Sequence, residues 1–513
     1  MALFEGVEQR HAVALSELSY CNPFLPERIG HERVVLGDTF VDTDSAWHKH
    51  ADEEVDRPNI DLLTRRAKEL ADAARERLMS GESTDDAAHD LYEDTVLYYL
   101  FNRYQPTLFK YIRNVVAGNT VPGAEVPFYE DFQADMVHYF ALPGTTFSLD
   151  DADHIFACFF QIRRAFHHIY DNIIGGSLVS ARLRAAVWQS VFTCDMRRYR
   201  RTLYARMGDI TTLVAGPSGT GKELVACAIG FSRYIPFDAK HRKFATDFTE
   251  CFLPINLSAL SPTLIESELF GHTKGSFTGA VADRAGFLET CPAEGAVFLD
   301  EIGELDPAIQ VKLLRVLQNR VFQRIGDTTP RRFEGKIVAA TNRDPVEEMQ
   351  ERRFRQDLYY RLCSDVIVTP SLREQLQDAP EQLHNLLLFI ARRVIGPEEA
   401  ESLVEEVGRW IGEHLGPDYP WPGNVRELEQ CVRNILIRRE YQPLRARSQD
   451  GREAFLAEVD RGALSVEELL RGYCTLVYAQ TGSYQETGRR LVLDRRTVKS
   501  RIDDDLLHQL RPE

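Results

Sequence analysis

The chain has 513 residues, 44% of them hydrophobic and 27% charged, and a formal net charge of −17. At ~150 residues per domain this length holds about three or four domains, and the composition is globular, which excludes a wholly disordered or fibrous chain. So large a negative charge excludes a surface that binds nucleic acid throughout, and confines any DNA contact to one basic segment.

The nine cysteines form no CxxC pair and no metal-ligand rhythm, so they read as reduced, mostly buried thiols without a role. No run of ~18 apolar residues occurs, and the start MALFEGVEQR has no basic region followed by an apolar one. The expectation is a soluble cytoplasmic protein without a membrane partner.

Residues 1–172 carry apolar side chains at helical spacing in Asn59–Met79, Ala87–Tyr104 and Ile155–Tyr170, which predicts a mainly α-helical domain. The aromatic-rich stretch LYYLFNRYQPTLFKYI indicates a packed core. Trp47, His48, Lys49 and His50, followed by Asp52, Glu53 and Glu54, follow no recognised ligand pattern and read as a solvated polar segment. Adjacent His167 and His168 point in different directions on a helix, so they make no site. The position of this domain suggests a sensor or a brake on the next domain, but its residues do not name a signal.

From 173 to 370 the pattern becomes strands alternating with helices, which implies a parallel sheet covered on both faces. Within Thr212–Gly230 an apolar strand ends at Gly216-Pro217-Ser218-Gly219-Thr220-Gly221-Lys222, and an amphipathic segment comes next. That is the spacing of a phosphate-binding loop, where glycines let backbone N–H groups converge on phosphate and the lysine neutralises charge. Glu223 stands where a Ser or Thr hydroxyl usually binds Mg²⁺.

A second apolar strand, Gly295–Leu299, ends in Asp300 and Glu301: Asp300 is placed to hold Mg²⁺ and Glu301 to orient or deprotonate water. Phe252–Ile255 ends at Asn256, and Lys336–Ala340 ends at Thr341 and Asn342, polar groups suited to reading a terminal phosphate.

Several segments then occur in an ordered set: Glu266–Ala280, Phe298–Leu305, Lys312–Gln318, Ala339–Asp344, Phe354–Leu362 and Trp421–Leu428. Together they resemble the AAA+ domain of sigma-54-dependent transcriptional activators, the bacterial enhancer-binding proteins, over roughly 173–438. The resemblance implies an ATPase that uses ATP and Mg²⁺, assembles as a ring, usually a hexamer, and binds nucleotide between subunits. By motif, Arg355 and Arg361 resemble arginine fingers given to a neighbour, Arg426 the sensor arginine of the lid, and Asn256 the residue that restrains the catalytic glutamate. Family members commonly carry Glu where Glu223 stands, whereas Pro217 replaces a usual acidic residue.

Gly275-Ser276-Phe277-Thr278-Gly279-Ala280 reads as a mobile hairpin tip that exposes Phe277. In the family the corresponding loop, usually GAFTGA, contacts sigma-54 and transmits ATP-driven movement to the closed promoter complex of the sigma-54 RNA polymerase holoenzyme; here Ser276 replaces the first alanine. Val321–Phe333 predicts a second hairpin turning at Gly326-Asp327.

Helical spacing returns in Gln382–Val394, Ala400–His414 and Asn424–Arg438, a lid over 371–440, and residues 441–465 read as a linker. Residues 466–513 then read as helices Val466–Thr481, Tyr484–Leu491 and Arg495–Leu507, in helix-turn-helix proportion. Arg489, Arg490, Arg495, Arg496, Thr497, Lys499 and Arg501 are the candidate contacts to double-stranded DNA. This end resembles a Fis-type DNA-binding domain, with Gly488 where that motif favours alanine and an awkward acidic run, Asp503-Asp504-Asp505. The whole is read as a multidomain ATP-driven activator. The alternatives are a DNA-binding regulator that uses ATP only to assemble, and a remodeller of another protein.

Overall fold

Helices open the chain: α1 (Val7–Tyr20), α2 (Glu27–Leu36), α3 (Pro58–Met79), α4 (Asp86–Val116), α5 (Tyr129–Phe140), α6 (Leu149–Asn172) and α7 (Leu178–Phe192). The structure, a computed structural model, describes residues 3–42, 58–81, 85–142, 148–351, 353–443, 451–460, 462, 464–503, 506–507 and 510. The Trp47–Glu54 cluster therefore lies outside the described residues.

Local chemistry starts these helices where the polar residues allow it. Asp85 accepts from the Ala88 N–H at the head of α4, and Ser148 and Asp151 form a reciprocal capping box at the head of α6. The three periodic segments of the sequence fall in α3, α4 and α6. No described helix is long and apolar enough to cross a membrane.

Among the described residues nine strands come after the helices: β1 (Thr212–Ala215), β2 (Phe237–Asp238), β3 (Lys243–Phe244), β4 (Phe252–Asn256), β5 (Ala296–Asp300), β6 (Val321–Phe322), β7 (Arg331–Arg332), β8 (Lys336–Thr341) and β9 (Asp365–Val368). Five of them make a parallel sheet in the order β4-β5-β8-β1-β9. Because side chains alternate along a strand, each strand divides its residues between two cores. Leu213, Val297, Leu299, Ile337 and Ala339 pack on one side with Ile309, Leu313 and Phe354. Val214, Ala296, Phe298, Val338 and Ala340 pack on the other with Val225, Ala226 and Ile229 of the helix Lys222–Gly230.

That second core also contains Ala165 and Ile169 of α6 and Val187 and Trp188 of α7. The amino-terminal helices therefore cover one face of the sheet together with the helix after the phosphate loop. The antiparallel β2-β3 hairpin joins them from the other direction: the rings of Phe237 and Phe156 lie 4.8 Å apart, and those of Phe244 and Phe160 3.7 Å apart.

The chain divides into two compact units, Met1–Val432 and Arg433–Glu513. In the first, after the sheet, come helices Leu372–Asp378, Gln382–Ile395 and Pro397–His414, and the start of Asn424–Arg438. The second holds the end of that helix and helices Gly451–Asp460, Val466–Thr481, Tyr484–Leu491 and Arg495–Ser500.

Two expectations for this second unit are corrected. The stretch read as a linker contains the helix Gly451–Asp460, anchored by Phe455, which is buried against Gly472; a Cβ on that glycine would lie 2.0 Å from the ring. One aromatic anchor leaves no periodic pattern to find. The last helix stops at Ser500 instead of Leu507, because Arg501 turns away and the Asp503 N–H donates to Thr475 Oγ1 at 2.9 Å, bringing the chain back onto the first helix of the trio.

Candidate functional site

Gly216, Gly219 and Gly221 all have positive φ, at 148°, 78° and 88°, so the loop after β1 uses backbone conformations that side chains resist. Thr369, just after β9, lies directly beneath it: a Cβ on Gly216 would come within 2.2 Å of Thr369 Oγ1, and that hydroxyl lies 2.6 Å from Thr220 Oγ1. Lys222 Nζ donates to the carbonyls of Gly216 (3.0 Å) and Pro217 (3.1 Å), and Thr220 Oγ1 donates to Pro217 as well (2.9 Å). Pro217 is thus used through its carbonyl oxygen while its ring faces solvent.

Among the described residues the backbone N–H groups of Gly219, Thr220 and Gly221 donate to no protein acceptor. These donors at a helix start, with the buried Lys222 side chain beside them, suit the phosphates of a nucleotide. Burial holds the Lys222 ammonium below its usual value, with Glu301 and Asp300 acting in the opposite direction.

The sheet register brings the acids to the same edge. Asn256 pairs with Asp300 and Ala215 with Thr341, so the carboxyl ends of β1, β4, β5 and β8 lie together, where open α/β sheets bind ligands. Glu301 has φ 55° and ψ 51°, a left-handed conformation rare for glutamate and common at functional strand ends. Turned this way, its Oε2 accepts from the Asn342 N–H at 3.3 Å. Asp300 keeps its Oδ1 on the Glu301 N–H at 3.1 Å.

Two sequence readings change here. Asn256 reaches Asp300 Oδ2, at 3.5 Å, and its own Oδ1 accepts from Ser258, so in this structure it does not hold Glu301. Thr341 is buried and its hydroxyl accepts from the Arg343 N–H at 3.1 Å, because strand alternation turns it inward; only Asn342 of the pair is exposed.

The lid closes on the loop through its last helix. Asn424, with φ 53°, donates from Nδ2 to the Ser218 carbonyl (2.9 Å), Val425 N–H donates to the Gly219 carbonyl (3.1 Å), and Arg426 donates to Ser218 Oγ (2.9 Å). Asn424 and Thr369 were not among the expected site residues. Asn424 sits in the WPGNVREL segment and could have been found there, whereas Thr369 offers no local signal. Glu223 is exposed, as are Arg355 and Arg361. Arg355 forms a two-point pair with Asp357 (3.0 and 2.7 Å), and among the described residues no hydrogen bond or ion pair joins the Arg355 or Arg361 side chain to the phosphate loop.

The Gly275–Ala280 loop is closed by Gly275 N–H to the Ala280 carbonyl (2.8 Å) and Ala280 N–H to the Phe277 carbonyl (3.0 Å). The expected exposure of Phe277 is corrected: it is half-buried, its ring edge-on to His272 at 5.0 Å, while Thr278 and Gly279 are exposed. His272 in turn is fixed by Ser267 Oγ at 2.7 Å. The second hairpin lies alongside. Its Ile325 exchanges backbone hydrogen bonds with Gly271 and Thr273, its Gly326 meets Ser276 so closely that a Cβ would fall 2.6 Å from the serine Cβ, and Arg324 and Arg331 both pair with Glu289. The two loops are one connected body.

In the second unit Arg489, Arg490, Arg495, Arg496 and Lys499 are exposed and Arg501 is half-exposed. Thr497 gives its hydroxyl to Asp494, which caps the helix Arg495–Ser500 through the Arg496 and Thr497 N–H groups. Gly488 has a structural reason: a Cβ there would lie 2.6 Å from the Leu493 carbonyl oxygen. Of the acidic run, Asp504 and Asp505 lie outside the described residues.

With this geometry in view, the sigma-54 interaction domain family matches residues 194–368. The chain is 45% identical over 230 residues to the Nif-specific regulatory protein of Azotobacter vinelandii, covering 45% of this chain and 40% of that protein. It is 41% identical over 231 residues to the hydrogenase transcriptional regulatory protein HoxA of Bradyrhizobium diazoefficiens, covering 45% and 43%. The chain thus spans less than half the length of these relatives. Among solved structures, NtrX from Brucella abortus aligns over 70% of this chain and 75% of its own at 22% identity, with a TM-score of 0.37. Residues 194–368 are therefore similar to sigma-54 interaction domains, and the likeness to the two regulatory proteins extends over about 230 residues.

Proposed function

We propose that the chain is an ATP-driven transcriptional activator: it hydrolyses ATP between the subunits of a ring, uses the Phe277 loop to remodel the sigma-54 RNA polymerase closed complex, and is tethered to double-stranded DNA by its terminal helices. The observation that carries this reading is the shared edge where Asp300, Glu301 and Asn342 stand at their strand ends beside Lys222 at the head of the phosphate-loop helix, with the Glu301 carboxylate already held on the Asn342 N–H. The phosphate-loop N–H groups and Lys222 bind phosphate, Asp300 would hold Mg²⁺, which would neutralise phosphate charge there, and Glu301 takes the proton of the attacking water. Arg355, released from Asp357, and Arg361 act in the neighbouring subunit's site, so that turnover depends on assembly. Arg426 and the lid contacts to Ser218 and Gly219 link nucleotide state to lid position. Phe277 must leave His272 to reach a partner; an aromatic pair of this kind is worth ~0.5–1.5 kcal/mol.

The test is binding of the full chain to purified sigma-54 in ADP with aluminium fluoride, comparing wild type with Phe277→Ala. Trapping by wild type, at least tenfold weaker in the variant while ATP turnover is kept, is the expected result. Turnover without trapping by wild type would transfer the reading to a remodeller of another protein. Absence of turnover, with DNA binding kept, would leave a regulator that uses nucleotide only for assembly.

A further inference from the structure

A cavity of about 710 Å³ opens among the amino-terminal helices, between the facing stripes of α4 and α6 and the ends of α1 and α7. Its size lies within the ~300–1,000 Å³ range of small-molecule sites. The walls are mostly aromatic and aliphatic, and this explains an oddity of burial: Tyr98, Phe101, Ile162 and Phe166 keep residual exposure although they face inward. Tyr98 lines the space with its hydroxyl in no hydrogen bond to any described residue. An apolar void of this size with an unpaired donor in its wall is shaped for an occupant.

Charge in the walls is one-sided. Four arginines line the cavity and one aspartate opposes them. Arg28 is paired with Glu32 and Arg200 with Glu93. At one end Arg163 lies over the Phe109 ring, 3.8 Å from its centroid, and Arg113 approaches the same ring at 5.6 Å, while the nearby Asp171 is bonded to His167 at 2.7 Å. Arg163 and Arg113 therefore both stand at the Phe109 end of the cavity, where Asp171 is the lining carboxylate. Burial pushes the thiols of Cys21 and Cys158 up to about 11 and about 12, so both are neutral and neither offers a nucleophile.

The opposite face of α6 grips the end of the phosphate-loop helix. Gln161 Nε2 donates to the Ser232 carbonyl at 2.8 Å, and the fully buried Arg164 donates to the carbonyls of Phe231 (2.9 Å) and Arg233. His168 stacks on Phe231 at 5.0 Å. One helix diameter, ~10 Å, therefore separates the cavity wall from the groups that hold the helix bearing Lys222.

We infer that this cavity binds a small, largely apolar organic molecule carrying one anionic group, and that its occupancy is transmitted to the phosphate loop through α6. The second half rests on the ATPase reading above; the first does not.

The probe is 8-anilinonaphthalene-1-sulfonate added to the full chain, detected by energy transfer from Trp188 in the cavity wall, with uncharged N-phenyl-1-naphthylamine as its partner. One sulfonate probe should bind per chain, about tenfold more tightly than the neutral one, which is ~1.4 kcal/mol. Arg113→Gln, at an exposed guanidinium, should erase that preference, and Ile162→Trp should fill the space and lower affinity at least tenfold. Circular dichroism checks that each variant folds; if Ile162→Trp does not, Arg113→Gln decides. No saturable binding, or binding within twofold of wild type in the folded variants, overturns the site, and equal affinity for both probes overturns the anionic group. Saturating probe should change ATP turnover of wild type at least twofold and leave Ile162→Trp unchanged. Stoichiometric binding without that change overturns the transmission alone, and binding to a chain with no turnover at all overturns only the ATPase reading.

Discussion

Two glycines of the phosphate loop separate backbone strain from lid contact. Gly219 and Gly221 have φ of 78° and 88°, so alanine at either position costs ~1–2 kcal/mol of left-handed strain. They differ in what the new Cβ would meet. At Gly219 it would stand 2.3 Å from the Gly423 carbonyl oxygen and 3.1 Å from Arg426 Cβ, both in the lid; at Gly221 the nearest atom is Leu224 Cδ1 at 3.7 Å. Gly219→Ala therefore adds an overpacking cost of ~1–3 kcal/mol that only lid displacement relieves. The lid is held there by the Val425 N–H on the Gly219 carbonyl, at 3.1 Å, and by the Asn424 bond to Ser218. Amide exchange of Val425 in nucleotide-free protein should be about 5- to 150-fold faster in Gly219→Ala than in Gly221→Ala. Equal protection of Val425 in the two variants would refute the argument that the lid is seated on this glycine.

Lys336 is fully buried with its Nζ on the Ile210 carbonyl at 2.6 Å; burial, with Arg233 and Arg320 adding and Asp365 opposing, brings its ammonium down to about 7. Its folded value lies below its unfolded one, so the unfolded chain holds the extra proton between about pH 7 and 10.5, and the penalty fades as pH rises through that window. Lys336→Met should gain most near pH 7, ~1–4 kcal/mol after the unpaired carbonyl is counted, and lose that gain by pH 10; a pH-independent difference in urea unfolding would reject this. In the second unit Gly488→Ala should lower the thermal stability of the terminal helices by ~1–3 kcal/mol through contact with the Leu493 carbonyl. Unchanged unfolding would mean that the close approach is easily relaxed. Glu301→Gln should retain ATP binding while turnover falls at least a hundredfold, a loss of ~3 kcal/mol or more in transition-state stabilisation; near-normal turnover would remove Glu301 from the reaction.

The chemistry of the nucleotide edge was legible in the sequence because it is carried by contiguous residues. A glycine-rich turn with lysine after it, and an apolar strand with two acids after it, each declare their purpose within a few positions. The alternation of strand and helix patterns also announced a covered parallel sheet, and helical spacing announced a helical opening region and the lid. What spacing could not state is which surface covers which. That α6 and α7 lie with the phosphate-loop helix on one sheet face is decided by Ala165, Ile169, Val187 and Trp188 meeting Val214 and Phe298, residues far apart in the chain. A cut after Asp171 would therefore strip part of a shared core instead of removing a separate domain. The same non-local packing turned Thr341 inward, laid Phe277 on His272, used one phenylalanine to make a helix of a supposed linker, and required Gly488 beside Leu493. It also left an unfilled volume between α4 and α6, which no local pattern records, because a cavity is a property of how helices are spaced and not of any helix alone. Local sequence supplies the groups that could do the chemistry; which of them meet is set by the packing of whole elements, because contact between distant segments depends on their relative placement.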